Sequence, residues 1–419
     1  MKTNSASQSS RPTSRIVVAA LLCSVGILLA AAGFAAGKSN GIGNSAANSA
    51  GSPLVLAARG WAIVPSPNNG AAVTNELYAT TCAAANDCWA VGYWNASTGY
   101  QTLTEHWDGT AWTIVPSPNK VGNNILQGVT CVSSSDCWAV GNADDPDIHQ
   151  RTLVEHWDGN TWRVIPSPNR GLSSPPIDVL IGVTCQSASQ CWAVGANDDV
   201  NGVGQTLIER WDGNAWTIVD SPNVYLSDSL YAVSCPSFTE CWAVGDSAVN
   251  FNVQTLVEKW DGTAWSIVAS PDTGMFNTLH DVSCISESNC MAVGYYGASS
   301  ADQTLVERWD GTSWTIVPSA NTNPAQQNIL YGVRCLSPSK CWAAGYYVNR
   351  QNVYQTLIER WDGTSWKIAV SPNSSTSEEN LLNGITCVSA SECWSVGYYA
   401  PESIPPQTLI EEYAALTGD

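Results

Sequence analysis

Between residues 126 and 169 the chain switches between apolar and polar positions in short bursts. "LQGVTC" alternates, "SSSD" is polar, "CWAVG" is apolar and ends at Gly141, and "RTLVEHW" alternates again. "DGN" follows, then "TWRVIPS", and "PN" closes the segment. Alternation with a two-residue period, bounded by Gly, Pro, Asn and Asp, predicts half-buried β-strands. Asp-Gly predicts a tight hairpin turn. Proline ends the last strand because it has no N–H to give to a ladder. No stretch carries a helical period. The segment therefore predicts four short antiparallel strands, with Gly141 expected to stop the second. That is the content of one propeller blade.

The same pattern returns across residues 60–413, marked by cysteine pairs in C-x5-C spacing. Cys82, Cys131, Cys185, Cys235, Cys284, Cys335 and Cys387 are followed six positions on by Cys88, Cys137, Cys191, Cys241, Cys290, Cys341 and Cys393. The pairs use 14 of the 15 cysteines and recur every 49 to 54 residues, a period that marks solenoids and propellers. The copies do not begin and end together. Residues 60–68, "GWAIVPSPN", read as a fourth strand without the first three, and residues 387–413 as three strands without a fourth. The expectation is an all-β, seven-bladed β-propeller of four-stranded antiparallel blades. Its ring is closed by the N-terminal strand completing the last blade, which removes free sheet edges. Each unit offers three Trp places: after the second Cys, before "DG", and five residues later. Met291 and Tyr413 fill two of these places, and Trp94 alone lies outside the frame.

The N-terminus differs in kind. Lys2, Arg11 and Arg15 precede an uncharged apolar run over residues 16–37. This reads as an export signal, and its length also suits a membrane anchor, which needs about 20 residues. Residues 1–37 are thus expected to be a signal peptide or anchor, with Cys23 a plain apolar residue of that run. Residues 38–58, rich in Ser, Asn, Gly and Ala, are expected to be a flexible linker, residues 59–414 the propeller and 415–419 a tail. Thiols oxidise outside the cytoplasm, so the pairs are expected as disulfides. They are Cys82–Cys88, Cys131–Cys137, Cys185–Cys191, Cys235–Cys241, Cys284–Cys290, Cys335–Cys341 and Cys387–Cys393, each across a hairpin with a Cα separation of ~5.5 Å. C-x5-C is not a zinc spacing and the chain has only four His, so no metal or other cofactor is expected.

Charge narrows the partners. With 17 basic and 36 acidic residues the formal charge is −19, which repels phosphate backbones and anionic headgroups. Neither nucleic-acid binding nor membrane contact beyond the anchor is expected. Much of the acid belongs to the repeat, including Glu105, Glu155, Glu209, Glu258, Glu307, Glu359 and Glu411.

"VEHWDGNTWRVIPSPN…CWAVG" resembles the kelch repeat of galactose-oxidase-like propellers. The shared features are an aromatic-Asp step, a Trp about five residues later, a proline-bearing exit and a strand with a terminal glycine. The likeness covers residues 60–413, departs in having one Gly where kelch has two, and adds the cysteine pair. It implies a propeller. The copper site of galactose oxidase, built on His, Tyr and a Cys-linked Tyr, does not carry over. His106 and His156 share a strand position with Arg210, Lys259, Arg308, Arg360 and Glu412 and read as solvent-facing. The repeating arginines likewise read as a strand face and not as a sialidase-like cluster.

Candidate chemistry falls on the variable second-to-third loops, since rigid scaffolds carry function on variable loops. The first loop is aromatic ("YWNASTGY", residues 93–100), the second and third are acidic, and the fifth to seventh begin with tyrosine pairs. The candidate ligand-binding residues are Trp94, Tyr296, Tyr347 and Tyr399, with Asp145 and Asp199 as polar or cation-binding partners. No P-loop, GxSxG or HExxH is present, and no catalytic residue is named. The expectation is a secreted or cell-surface, monomeric, non-catalytic binding propeller for an extracellular glycan or protein. The alternative is an extracellular glycan-active hydrolase or lyase.

Overall fold

The computed structural model describes residues 60–414 except 148, 171–175, 225–226, 250–251 and 299–300. The expected signal or anchor (1–37), linker (38–58) and tail (415–419) lie outside the described residues. Among the described residues there are 28 strands, numbered β1–β28 in chain order, and no helix long and apolar enough to cross a membrane.

The unit is legible in its first copy. β2 (Asn75–Ala84) pairs with β3 (Asp87–Ala96), β3 with β4 (Gly99–Trp107), and β4 with the short outer β5 (Trp112–Ile114), all antiparallel. The 28 strands fit seven such four-stranded units. Two neighbouring units are joined into one sheet by a single parallel bridge, Gly204↔Ser227. In the last unit β1 (Gly60–Val64) supplies the outer strand, pairing antiparallel with β28 (Gln407–Ala414).

The first strands are β2, β6 (Asn124–Ser133), β10 (Asp178–Ser187), β14 (Ser227–Ser237), β18 (Met275–Ser286), β22 (Asn328–Ser337) and β26 (Glu379–Ser389). They pack on one another in that order, and β26 packs on β2. This crowding explains a glycine. A Cβ on Gly128 of β6 would stand 2.5 Å from the Ile181 carbonyl oxygen of β10. The glycine of "CWAVG" also serves close approach. Gly141 does not stop its strand, which runs over Asp136–Asp144, and a Cβ there would lie 1.9 Å from the Ile125 carbonyl oxygen. A bulge between Leu126 and Gly128 sits opposite it.

Successive units meet through aromatic triads. Trp89 contacts Trp157 and Trp162 of the next unit at 4.8 and 5.1 Å between ring centroids, and Trp138 repeats this with Trp211 and Trp216. Met291 takes the first place at one interface, packed with Trp361 and Trp366. At another, Trp342 meets Tyr413 and, from β1, Trp61. The frame tryptophans therefore fill space between units.

The frame glutamates are not surface charge. All seven are fully buried. Each accepts a hydrogen bond from a serine leaving the preceding unit, as in Ser167–Glu209 (2.6 Å), Ser270–Glu307 (2.6 Å) and Ser371–Glu411 (2.7 Å). Ser66, just beyond β1, makes the same bond to Glu105 at 2.9 Å. Burial pushes Glu105, Glu155, Glu209, Glu258, Glu307 and Glu411 up to about 8 and Glu359 to about 7. These carboxyls are held largely neutral, so the formal −19 overstates the charge the fold carries.

All seven expected disulfides form within their own pair. Cα separations are 3.9 to 4.0 Å, closer than expected, because the two cysteines stand directly opposite across the hairpin. His106 and His156 are half-buried rather than fully solvent-facing. Each lies tilted against a frame Trp (4.5 and 4.3 Å between ring centroids) and meets an aspartate, Asp87 or Asp136, at 2.8 Å. Arg210, Lys259 and Arg360 lie over Trp192, Trp242 and Trp342 in the same way.

Candidate functional site

Alternation along a strand decides where the loop aromatics go, because successive side chains take opposite faces. Trp94, Tyr296, Tyr347 and Tyr399 occupy the same register place in four units, each opposite a first-strand Asn and a third-strand Gln. All four are half-buried. They pack against four different inter-unit clusters and are not brought together. Tyr296 also edges a cavity of about 240 Å³ with Thr273, Ile316, Pro318 and Asn321.

Asp145 and Asp199 shape their own loops. Asp145 Oδ1 accepts the amides of Asp147 (2.9 Å) and His149 (3.0 Å), while Oδ2 meets Arg151 Nε at 3.2 Å. Asp199 Oδ1 accepts the amides of Asn201 (2.7 Å) and Val203 (3.0 Å). Asn349 does the same in another unit, which marks an Asx-type turn device. Donor atoms of Asp145, Asp147 and His149 fall within 4.8 Å of one another, and Arg151 already supplies a positive partner there.

The residues one place earlier do converge. Tyr93, Tyr295, Tyr346 and Tyr398 immediately precede the four aromatics above and join first-strand rings in a broken arc. Tyr231 meets His280 at 5.9 Å, His280 stacks on Tyr331 at 4.6 Å, and Tyr331 meets Tyr346 at 5.9 Å. Tyr346 contacts Tyr354 at 4.7 Å and shares a cluster with Tyr398, Ile329 and Leu381. In the first unit Tyr93 lies between Tyr78 (5.7 Å) and Tyr100 (4.8 Å). The second and third units contribute Asn142, Gln127, Ala196 and Ile181 at the matching places, so the arc is one-sided.

Three titratable groups sit in it. Glu76 receives the Tyr78 hydroxyl at 3.4 Å and stands opposite Tyr93 across the strands; burial pushes its pKa up to about 7. Asp246 accepts from Thr278 Oγ1 (3.0 Å) and Tyr231 Oη (3.3 Å), and burial pushes it up to about 6. His280 donates from Nδ1 to the Leu330 carbonyl at 2.9 Å, and burial pushes it down to about 4, so the ring is neutral. Tyr93, Tyr346, Tyr398 and His280 are buried, so the arrangement is a packed group of rings with tyrosine hydroxyls and two carboxyls poised between protonated and ionised.

Beside Tyr295 and Tyr296, β18 holds an extra residue. Phe276 has φ of 60° and is 43% exposed, next to Met275 at 55%. A bulky residue in the left-handed region is strained, and such strain gathers at binding sites.

The candidates Trp94, Tyr296, Tyr347 and Tyr399 each stand one place after a member of the arc. Comparing the seven copies at the place after the "CWAVG" glycine exposes the arc, because that column changes from Tyr to Asn, Ala and Asp while the frame around it does not.

No protein-family model matches the chain, and no curated protein sequence matches it. Solved structures do. A YCF48 structure with a bound D1 peptide is 13% identical, with a TM-score of 0.53 over 86% of this chain and 99% of that one. YCF48 from Cyanidioschyzon merolae is 12% identical, with a TM-score of 0.51 over 85% and 98%. An ulvan lyase of polysaccharide lyase family PL25, bound to -[GlcA(1-4)Rha3S]-, is 8% identical, with a TM-score of 0.52 over 81% and 94%. These neighbours are β-propellers, and at such low identity they establish the propeller fold alone.

Proposed function

We propose that the chain is a secreted or surface-anchored, non-catalytic binding propeller, and that it takes a carbohydrate or protein ligand at the tyrosine arc. In this reading the seven units close into a seven-bladed ring of kelch-like repeats, and the chain acts as a monomer. The order of first-strand packing, the β1–β28 pairing and the Ser66–Glu105 bond support closure. Seven disulfides fit an oxidising, extracytoplasmic location. The observation that carries the function is the arc itself: aromatic rings with polar tips, gathered at places where other copies of the unit hold Asn, Ala or Ile. Such surfaces combine apolar contact with orienting hydrogen bonds. Trp94, Tyr296, Tyr347 and Tyr399 belong to the proposal as its outer neighbours. Asp145 and Asp199 belong to it as the residues that hold bordering loops. One YCF48 neighbour is bound to a D1 peptide and the lyase to -[GlcA(1-4)Rha3S]-, which is consistent with either ligand class.

A glycan-active hydrolase or lyase is the second reading, favoured by Glu76 and Asp246, two carboxyls raised by burial and bonded to tyrosine hydroxyls. The test is a binding screen of glycans and peptides with the parent, Tyr346→Ala and Tyr93→Ala, followed by product analysis of any polysaccharide bound. Binding without turnover, lost in both variants, is expected. Turnover abolished by Glu76→Gln or Asp246→Asn favours the second reading. Binding that both variants retain overturns the arc.

A further inference from the structure

Seven copies of one unit provide an internal control for what each place in the frame requires. Opposite the residue after the second-strand glycine, six first strands carry Ile125, Val179, Ser229, Thr278, Ile329 and Leu381. The seventh carries Glu76. Packing at this place asks for an apolar or small side chain, so the fold does not explain the acid. The frame glutamates differ, because each has a serine from the preceding unit.

The surroundings of Glu76 are specific. It is half-buried, it accepts a hydrogen bond from the Tyr78 hydroxyl, and Tyr93 stands opposite it across the strands. The ring of Tyr93 is tilted 40° to Tyr78 and 66° to Tyr100. Tyr78 and Tyr93 thus stand beside the carboxyl, and Tyr100 packs edge-on against Tyr93. Among the described residues no Lys, Arg or His forms an ion pair with that carboxyl. A buried acid without a cation is unfavourable, and a bound cation removes that cost. Ring faces beside a carboxylate attract organic ammonium groups through the aromatic quadrupole. The acidic balance of the chain favours approach of a cation.

We infer that Glu76, Tyr78, Tyr93 and Tyr100 form a binding site for an organic ammonium group. The inference rests on the arc as the binding surface and narrows the ligand that the surface takes.

The test uses choline against 3,3-dimethylbutan-1-ol, which has the same shape without the charge. Each is titrated calorimetrically into the oxidised chain. Choline is expected to bind at least about tenfold more tightly, and Glu76→Gln to remove that preference without lowering the melting temperature. Tyr100→Ala, at the start of the third strand, serves as the second variant should Glu76→Gln unfold, and is expected to weaken choline. Equal binding of the two probes, or choline binding that Glu76→Gln and Tyr100→Ala leave unchanged, overturns the inference. A glycan or peptide that still binds through Tyr346 while the two probes behave alike overturns the ammonium site and leaves the arc standing. Ligands indifferent to both Tyr346→Ala and Tyr93→Ala overturn the arc itself.

Discussion

Glu155 shows how a residue that reads as surface charge becomes part of the interior. It is fully buried and takes the Ser117 hydroxyl of the preceding unit. Among the described residues its Oε1 has no hydrogen-bond partner, as in five of the other six frame glutamates. The folded state therefore favours the protonated acid, with a pKa raised from 4.5 to about 8. A raised folded pKa gives stability that is complete below the unfolded value and lost as pH rises through the folded one. Seven such groups predict a melting temperature that falls steadily from pH ~5 to pH ~8.5. Glu155→Gln is expected to flatten that slope and to melt above the parent at the alkaline end. A melting temperature that is flat or rises with pH contradicts the assignment. Alternating polarity showed the glutamates on strands, but sequence could not show that a serine of the preceding unit reaches them. The tyrosine pairs show a related limit of local reading: Tyr346 and Tyr347 are chemically identical, and only the bulged register decides which one meets Tyr331. For Trp94, half-buried on an inter-unit cluster, Trp94→Ala separates two roles. Loss of affinity at constant melting temperature marks a ligand contact, whereas a lower melting temperature with affinity per folded molecule unchanged marks packing.

At the scale of elements, the Asp-Gly turns, the cysteine hairpins and the orphan strand at residues 60–68 were all legible, because each depends on local chemistry or on counting. The length of the second strand was not. Gly141 reads as a stop, but it is placed for the approach of Ile125 and the ladder continues past it. β1 contributes Trp61 to one inter-unit triad, and the segment after it contributes Ser66 to Glu105 and Asn68 to the Thr408 amide at 3.0 Å. Deleting residues 60–68 is expected to expose the edge of β28, leaving an aggregating or strongly destabilised protein. Ser66→Ala is expected to cost about 1 kcal/mol, the scale of one buried hydrogen bond. A truncated chain that melts with the parent rules out closure by β1.

At the scale of the molecule, seven disulfides staple the same hairpin in every unit. Thiol titration of the denatured, unreduced protein without residues 1–37 is expected to find essentially no free thiol. Detection of roughly two thiols per unit would remove both the bridges and the oxidising location. The arc belongs to this scale too. Its rings come from separate units and meet only because the first strands pack side by side, so no window of sequence contains it. The position of a bound ligand tests the tyrosine arc most directly. Hydrogen exchange, measured with and without the tightest ligand from the glycan and peptide screen, locates it. Protection is predicted at the starts of β2, β18 and β22 and the ends of the second strands around Tyr93, Tyr295 and Tyr346. Protection confined to the cysteine hairpins and Asp-Gly turns would contradict it.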